Sequence, residues 1–150
     1  MGLFNGLEIS ATGLTAERLR MDVTAENLAN AQTTRGANGG PYRRKEVVLE
    51  QAAGGSGGFG AQLTAAMGPR GGSRPGGVQV AAVAEDQTAP RMVYDPGHPD
   101  ADARGYVAMP NVDSVTEMVD LISSSRAYEA NVTAMEAAKQ MFSKTLELLR

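Results

Sequence analysis

Cysteine is absent from the 150 residues, and histidine occurs once, at His98. Without thiols the chain has no disulfide, no thiolate metal site and no thiol nucleophile. With one imidazole, a Ser-His-Asp set has only one possible centre, and no arrangement beyond chance surrounds it. Large apolar side chains are scarce as well. Leu, Ile, Val and Phe together number 28, and 23 of the hydrophobic residues are alanine. Such a supply lies close to the level at which a chain stops building its own core. The net charge is only −3, however, so the strong charge of a disordered chain is missing. The length fits one domain, and that domain is expected to draw stability from a partner.

No uncharged apolar run approaches the ~18 residues of a membrane span. The N-terminus MGLFNGLEISATG has neither a basic n-region nor a continuous apolar stretch, so no cleaved secretory signal is expected. Gly2 would suit myristoylation, but Gly6 stands where that motif wants a hydroxyl. The chain is therefore expected in the cytoplasm unless it is exported by a route that cleaves nothing. A sequence pI near 5.2 with mixed charges excludes a nucleic-acid partner.

Glycine and proline divide the chain into three. Residues 1–31 hold three Gly and no Pro, residues 112–150 hold neither, and all seven Pro lie in 32–111. Because these residues break regular structure, two terminal helices are expected around a turn-rich middle. The reading is an α+β fold in two parts. Residues 1–31 with 112–150 form a helical coiled-coil part, and 32–111 form a β/loop segment carrying a flexible Gly-rich insertion at 54–77.

Leu7, Leu14, Met21 and Leu28 recur every seven residues, widened by Ala11 and Ala25, so one helical face seeks a helical partner. Gly13 weakens that helix by roughly 1 kcal/mol relative to Ala and predicts fraying or a bend. In the C-terminal segment Ser114 and Glu117 have capping-box spacing. Met118, Ser125, Val132, Lys139 and Leu146 form one heptad row, and Leu121, Tyr128, Met135, Phe142 and Leu149 form a second, wholly apolar one. A helix over this segment is about 57 Å long, more than one small domain buries. The middle predicts strands at 42–51 and 78–86, with weaker ones at 91–94 and 105–107.

Chemistry is sparse. His98 lies among Asp95, Asp100 and Asp102, but Pro96 and Pro99 make the segment a tight turn. Asp100-Ala-Asp102 begins like a calcium loop, yet Arg104 and Asn111 stand where oxygen-rich ligands are required. The Gly-rich tract has no phosphate-loop spacing, and the Arg43-Arg44-Lys45 run suits a solvated or interfacial face. The expectation is no enzyme, no cofactor and no metal.

Two stretches carry a resemblance. Residues 14–46 resemble the N-terminal signature of flagellar rod and hook axial proteins, through Asn27, Asn30, Thr33, Thr34, Tyr42, Arg43 and Arg44. The run from Tyr94 through HPDAD, YVAMPNV and SRAYEANV looks like the C-terminal signature of that family's proximal-rod subunits. The resemblance implies terminal helices paired within one chain, helical stacking into a rod that crosses the periplasm, and transmission of motor torque for motility. It implies export through the flagellar type III apparatus without signal cleavage. Its partners would be further copies, other rod subunits, the export apparatus and the basal-body membrane ring, with no nucleic acid and no small-molecule substrate. Asn27 and Asn30 then have two readings, as residues that end a helix or as contacts to neighbouring subunits. A coiled-coil adaptor outside the flagellum and a metal enzyme around Asp95–Asp102 are the competing functions.

Overall fold

The computed structural model describes residues 3–36, 39–52 and 76–148. Along these run α1 (Leu3–Ala29), β1 (Lys45–Gln51), β2 (Val78–Glu85), β3 (Arg91–Tyr94), β4 (Tyr106–Met109) and α2 (Ser114–Leu148). The architecture is α+β, with two long helices and two small sheets among the described residues, β1 with β2 and β3 with β4. No helix among the described residues is long and apolar enough to cross a membrane. The tract expected as a flexible insertion at 54–77 lies outside the described residues except for Gly76 and Gly77, and Leu149 lies outside them too.

α1 is helical through Gly13. A Cβ on Gly13 would lie 3.1 Å from the Nδ2 of Asn131, so the absent side chain makes room for an amide of α2. The helix stops where Asn30 turns its side chain back, donating from Nδ2 to the Glu26 carbonyl at 2.9 Å. Thr33 then donates to the Asn30 Oδ1 at 3.1 Å, and the Tyr42 N–H donates to the Thr33 carbonyl at 3.1 Å. These bonds fold the following loop back onto the helix end, and β1 starts at Lys45 rather than at Tyr42.

The start of α2 corrects an expectation. Ser114 and Glu117 form no capping box. Asp113 is the cap, accepting from the Val115 N–H at 3.1 Å and from the Thr116 hydroxyl at 2.9 Å, the role a short carboxylate fills well. Glu117 is drawn away because its carboxylate is engaged elsewhere.

The chain divides into two compact units. One comprises the described residues of Met1–Ala16, Leu49–Ala81 and Tyr128–Arg150. In it Ala16 is buried, and the Val78 N–H at the start of β2 donates to the Thr12 hydroxyl oxygen at 3.1 Å. The other comprises the described residues of Glu17–Val48 and Ala82–Ala127. Val23, Val107, Pro110 and Val112 are its buried apolar side chains among the described residues, beside buried Thr24, Asn27, Glu117 and Ser124. Here β3 and β4 pair antiparallel from Arg91 opposite Met109 to Tyr94 opposite Tyr106. The interior of this unit is therefore as polar as it is apolar.

Candidate functional site

The polar interior of the second unit is one connected knot. Asn27, near the end of α1, is 1% exposed. Its Nδ2 donates to the Lys45 carbonyl at 2.9 Å and to Glu117 Oε2 at 3.0 Å. Its Oδ1 accepts from the Tyr42 hydroxyl at 2.8 Å and from the Lys45 N–H at 2.9 Å. An amide offers two donors and two acceptor sites, and all are used. Glu117, also 1% exposed, accepts from Arg44 Nε at 2.6 Å. Arg44 in turn reaches Asp120 at 3.6 Å, and its backbone N–H donates to Asn111 Oδ1 at 3.1 Å.

The electrostatics follow from that geometry. The hydrogen bond that Arg44 donates to Glu117 holds the Arg44 guanidinium above its ordinary value, against the opposing effect of burial. Burial, then the charges of Glu26, Glu117 and Glu85, pushes the Tyr42 hydroxyl up to about 12. Both shifts favour the protonation states that the knot requires, a charged Arg44 and a neutral, donating Tyr42. Removing one partner from a buried ion pair costs about 3–5 kcal/mol, because the other charge stays desolvated. With Arg44 part-exposed, the lower end of that range applies.

The loop after α1 is fastened to the HPDAD turn. Thr34 donates to Asp100 Oδ2 at 2.7 Å, and Arg35 pairs with the same carboxylate. The Thr34 hydroxyl, then Arg35 and His98, hold the Asp100 carboxyl below the usual carboxylate range, with burial opposing. His98 accepts at Nδ1 from the Asp100 N–H at 3.1 Å, so it serves the turn as an acceptor. Among the described residues no group of three His, Asp or Glu is placed to hold a metal ion.

The family-signature residues come together only in part. Asn27, Tyr42 and Arg44 meet in the knot, Thr34 in the clamp, and Asn30 with Thr33 at the helix end. Arg43 points outward and donates to Gln87 Oε1 at 3.0 Å. Leu7, Leu14, Met21 and Leu28 are half-buried, as are Leu121, Tyr128, Val132 and Met135, whereas Met118, Phe142 and Leu146 are exposed. The fully buried positions of the helices are others: Ala16, Val23, Thr24 and Asn27 on α1, Glu117 and Ser124 on α2. Sequence reasoning singled out Asn27 for its signature and Glu117 for its capping spacing, and passed over Ala16, Val23, Thr24 and Ser124 because they are small or polar. The signal present was their spacing, since Ala16 and Val23, like Glu117 and Ser124, are a heptad apart.

Two family models match this chain. One, described as the C-terminal part of flagellar basal body rod FlgEFG proteins, covers residues 103–148. The other, described as flagella basal body rod protein, covers residues 7–37. The chain is also similar along its length to curated flagellar basal-body rod proteins FlgC. It is 51% identical to that of Bacillus subtilis, with 99% of each chain covered. It is 46% identical to that of Escherichia coli O157:H7, over 99% of this chain and 98% of the relative. For Borreliella burgdorferi the identity is 42%, over 100% and 99%.

Proposed function

The chain belongs to the flagellar basal-body rod protein family and is a structural subunit of the basal-body rod; from that premise we propose that it builds the rod through its terminal helices, paired within each chain as an antiparallel coiled coil. The family is structural and not an enzyme family. The observation that carries the proposal is the buried bond between Asn27 of α1 and Glu117 of α2. A second contact joins the same helices in the other unit, where Gly13 lies against Asn131. From Gly13 to Asn27 is two heptads, and from Glu117 to Asn131 is two heptads in the opposite sense. An antiparallel heptad pairing has this property. In that register Ile9, Ala16 and Val23 stand level with Met135, Tyr128 and Leu121. Apolar layers then alternate with small or polar layers made by Gly13 with Asn131, Arg20 with Ser124, and Asn27 with Glu117.

In this reading the Leu7, Leu14, Met21 and Leu28 stripe lies beside the intrachain seam. Together with the exposed Met118 and Leu146 it supplies contacts to neighbouring rod subunits. The chain leaves the cell interior by flagellar export without losing a signal, a route suited to a chain with no cysteine and little core. Once assembled it transmits torque along the rod. Electron microscopy of isolated basal bodies carrying a tag on this chain tests the reading. The tag is expected at the proximal end of the rod, and its absence from every rod would refute the assignment.

A further inference from the structure

Beside the knot, within the second unit, lies a cleft of about 250 Å3 between α1, the start of β1 and α2. Its floor is polar, since Thr24, Asn27, Glu117 and Ser124 all line it and all are buried. Asn27 has spent its amide within the knot, but Ser124 has spent nothing. Only 1% of Ser124 is exposed, yet its Oγ has no hydrogen-bond partner among the described residues. Buried hydroxyls are almost always bonded, so this one calls for a group that enters the cleft from outside.

The charges around the cleft say what that group is. Its cations are Arg20, Arg44 and Lys45, and each already has a carboxylate. Glu17 stands 3.7 Å from Arg20, Glu117 2.6 Å from Arg44, and Glu26 2.5 Å from Lys45. Two more carboxylates, Glu46 and Asp120, line the cleft and are 70% and 48% exposed. They lie 3.9 and 3.6 Å from Arg44, beyond hydrogen-bond distance from a guanidinium that Glu117 already neutralises. Five carboxylates thus face three cations. Glu117 also keeps acceptor capacity, because a carboxylate accepts about four hydrogen bonds and it takes one from Arg44 and one from Asn27. Water would satisfy the Ser124 hydroxyl but would leave the charge unbalanced. A group that carries positive charge and only donates answers both, and a guanidinium, with its fork of N–H donors and no acceptor, does so best. A metal ion does not, because among the described residues no three ligating side chains are placed to hold one.

We infer that this cleft is a socket for an arginine side chain of a neighbouring copy of the chain. This rests on the rod-subunit reading and deepens it. The chain itself supplies the plug, for Arg18, Arg43, Arg91, Arg104 and Arg126 are exposed and form no ion pair among the described residues. A socket on one part of a subunit and a plug on another make a heterologous contact, which grows into an open helical array when the rotation does not close. Two measurements test the site and its occupant separately. In the first, the purified full chain is titrated with methylguanidinium chloride, beside sodium chloride at equal ionic strength, and backbone amide shifts are followed by NMR. Saturable shifts at Thr24, Ser123 and Ser124 are expected with methylguanidinium alone, and their loss in a chain carrying Glu46→Gln and Asp120→Asn. Identical shifts in the two salts would leave the cleft to solvent and overturn the site. In the second, photoreactive benzoylphenylalanine replaces the exposed Ser123, which lines the cleft, and isolated rods are irradiated. A covalent dimer is expected, joined through a peptide of the second copy that holds one of those five arginines. Attachment to a different rod protein or to a peptide without them, or no cross-link at all, overturns the occupant while leaving the rod assignment intact. If the bulky residue keeps the chain out of rods, Ser123→Cys labelled in assembled rods with benzophenone maleimide gives the same readout. Absence of even the unmodified chain from rods would instead defeat the assignment itself, and the methylguanidinium titration would still decide the site.

Discussion

Asn27 spends its whole side-chain amide on holding three segments together, the end of α1, the entry to β1 and the first turn of α2. A carboxylate in the same volume could accept but not donate, and it would face Glu117. Asn27→Ala is expected to lower unfolding free energy by about 1–3 kcal/mol, the range for leaving buried partners unsatisfied. Asn27→Asp is expected to lower it further, toward the cost of an unpaired buried charge. Urea denaturation of the purified chain ranks the two, and an Asp variant as stable as the parent would contradict the role given to the donor. Tyr42 supplies a second measurement. Its folded value is raised to about 12 from an ordinary value near 10, so its stabilisation is complete below about pH 10 and is lost as pH rises toward 12. Titration followed at the phenolate band is expected to show a late-ionising component, and Tyr42→Phe to remove it. The signature residues Asn27, Tyr42 and Arg44 were legible as a set, but their common partner was not. Glu117 has the spacing of a cap residue, and only the fold reveals that Asp113 takes that role and frees Glu117 for the interior.

The elements themselves followed from punctuation and period. Segments free of proline became α1 and α2, and β-branched runs between Gly and Pro clusters became β1 to β4. The buried faces of the helices were harder to see, because an apolar period selects Leu7, Leu14, Met21 and Leu28, whereas close packing selects Gly13, Ala16 and Val23. Along α2 the side chains of Leu121, Tyr128 and Met135 are half-buried, whereas Phe142 of the same row is exposed. The companion row shifts by one residue, from Met118 and Ser125 to Glu117 and Ser124, with the Glu117 carboxylate held inside by Asn27 and Arg44. Gly13 and Asn131 test the pairing at this scale. Alanine at Gly13 gains helix propensity of roughly 1 kcal/mol but meets the Asn131 side chain at 3.1 Å. Gly13→Ala is therefore expected to be more favourable in an Asn131→Ala background than in the parent. A double-mutant cycle read by thermal unfolding measures the coupling, and strict additivity would mean that these positions are independent.

For the whole molecule, the scarcity of core and the wealth of helix surface have one explanation. Among the described residues only Ala16, Val23, Val107, Pro110 and Val112 are buried apolar side chains, while Val115, Met118, Val119, Ile122, Met141 and Leu148 are exposed. A chain of this kind is completed by its neighbours, as a rod subunit is. The central claim is that the terminal helices are the surfaces of assembly, and Met135, half-buried on the inward row of α2, is where it is most exposed to test. Complementation of a null strain with Met135→Asp, beside Met135→Leu as the volume-conserving control, scored by the amount of the chain in isolated basal bodies, tests it directly. Burying an unpaired carboxylate costs several kcal/mol, comparable to the ~5–15 kcal/mol that holds a domain folded. The account predicts rods built with Met135→Leu and none with Met135→Asp. Rods carrying Met135→Asp at the parental level, with swimming restored, would contradict it.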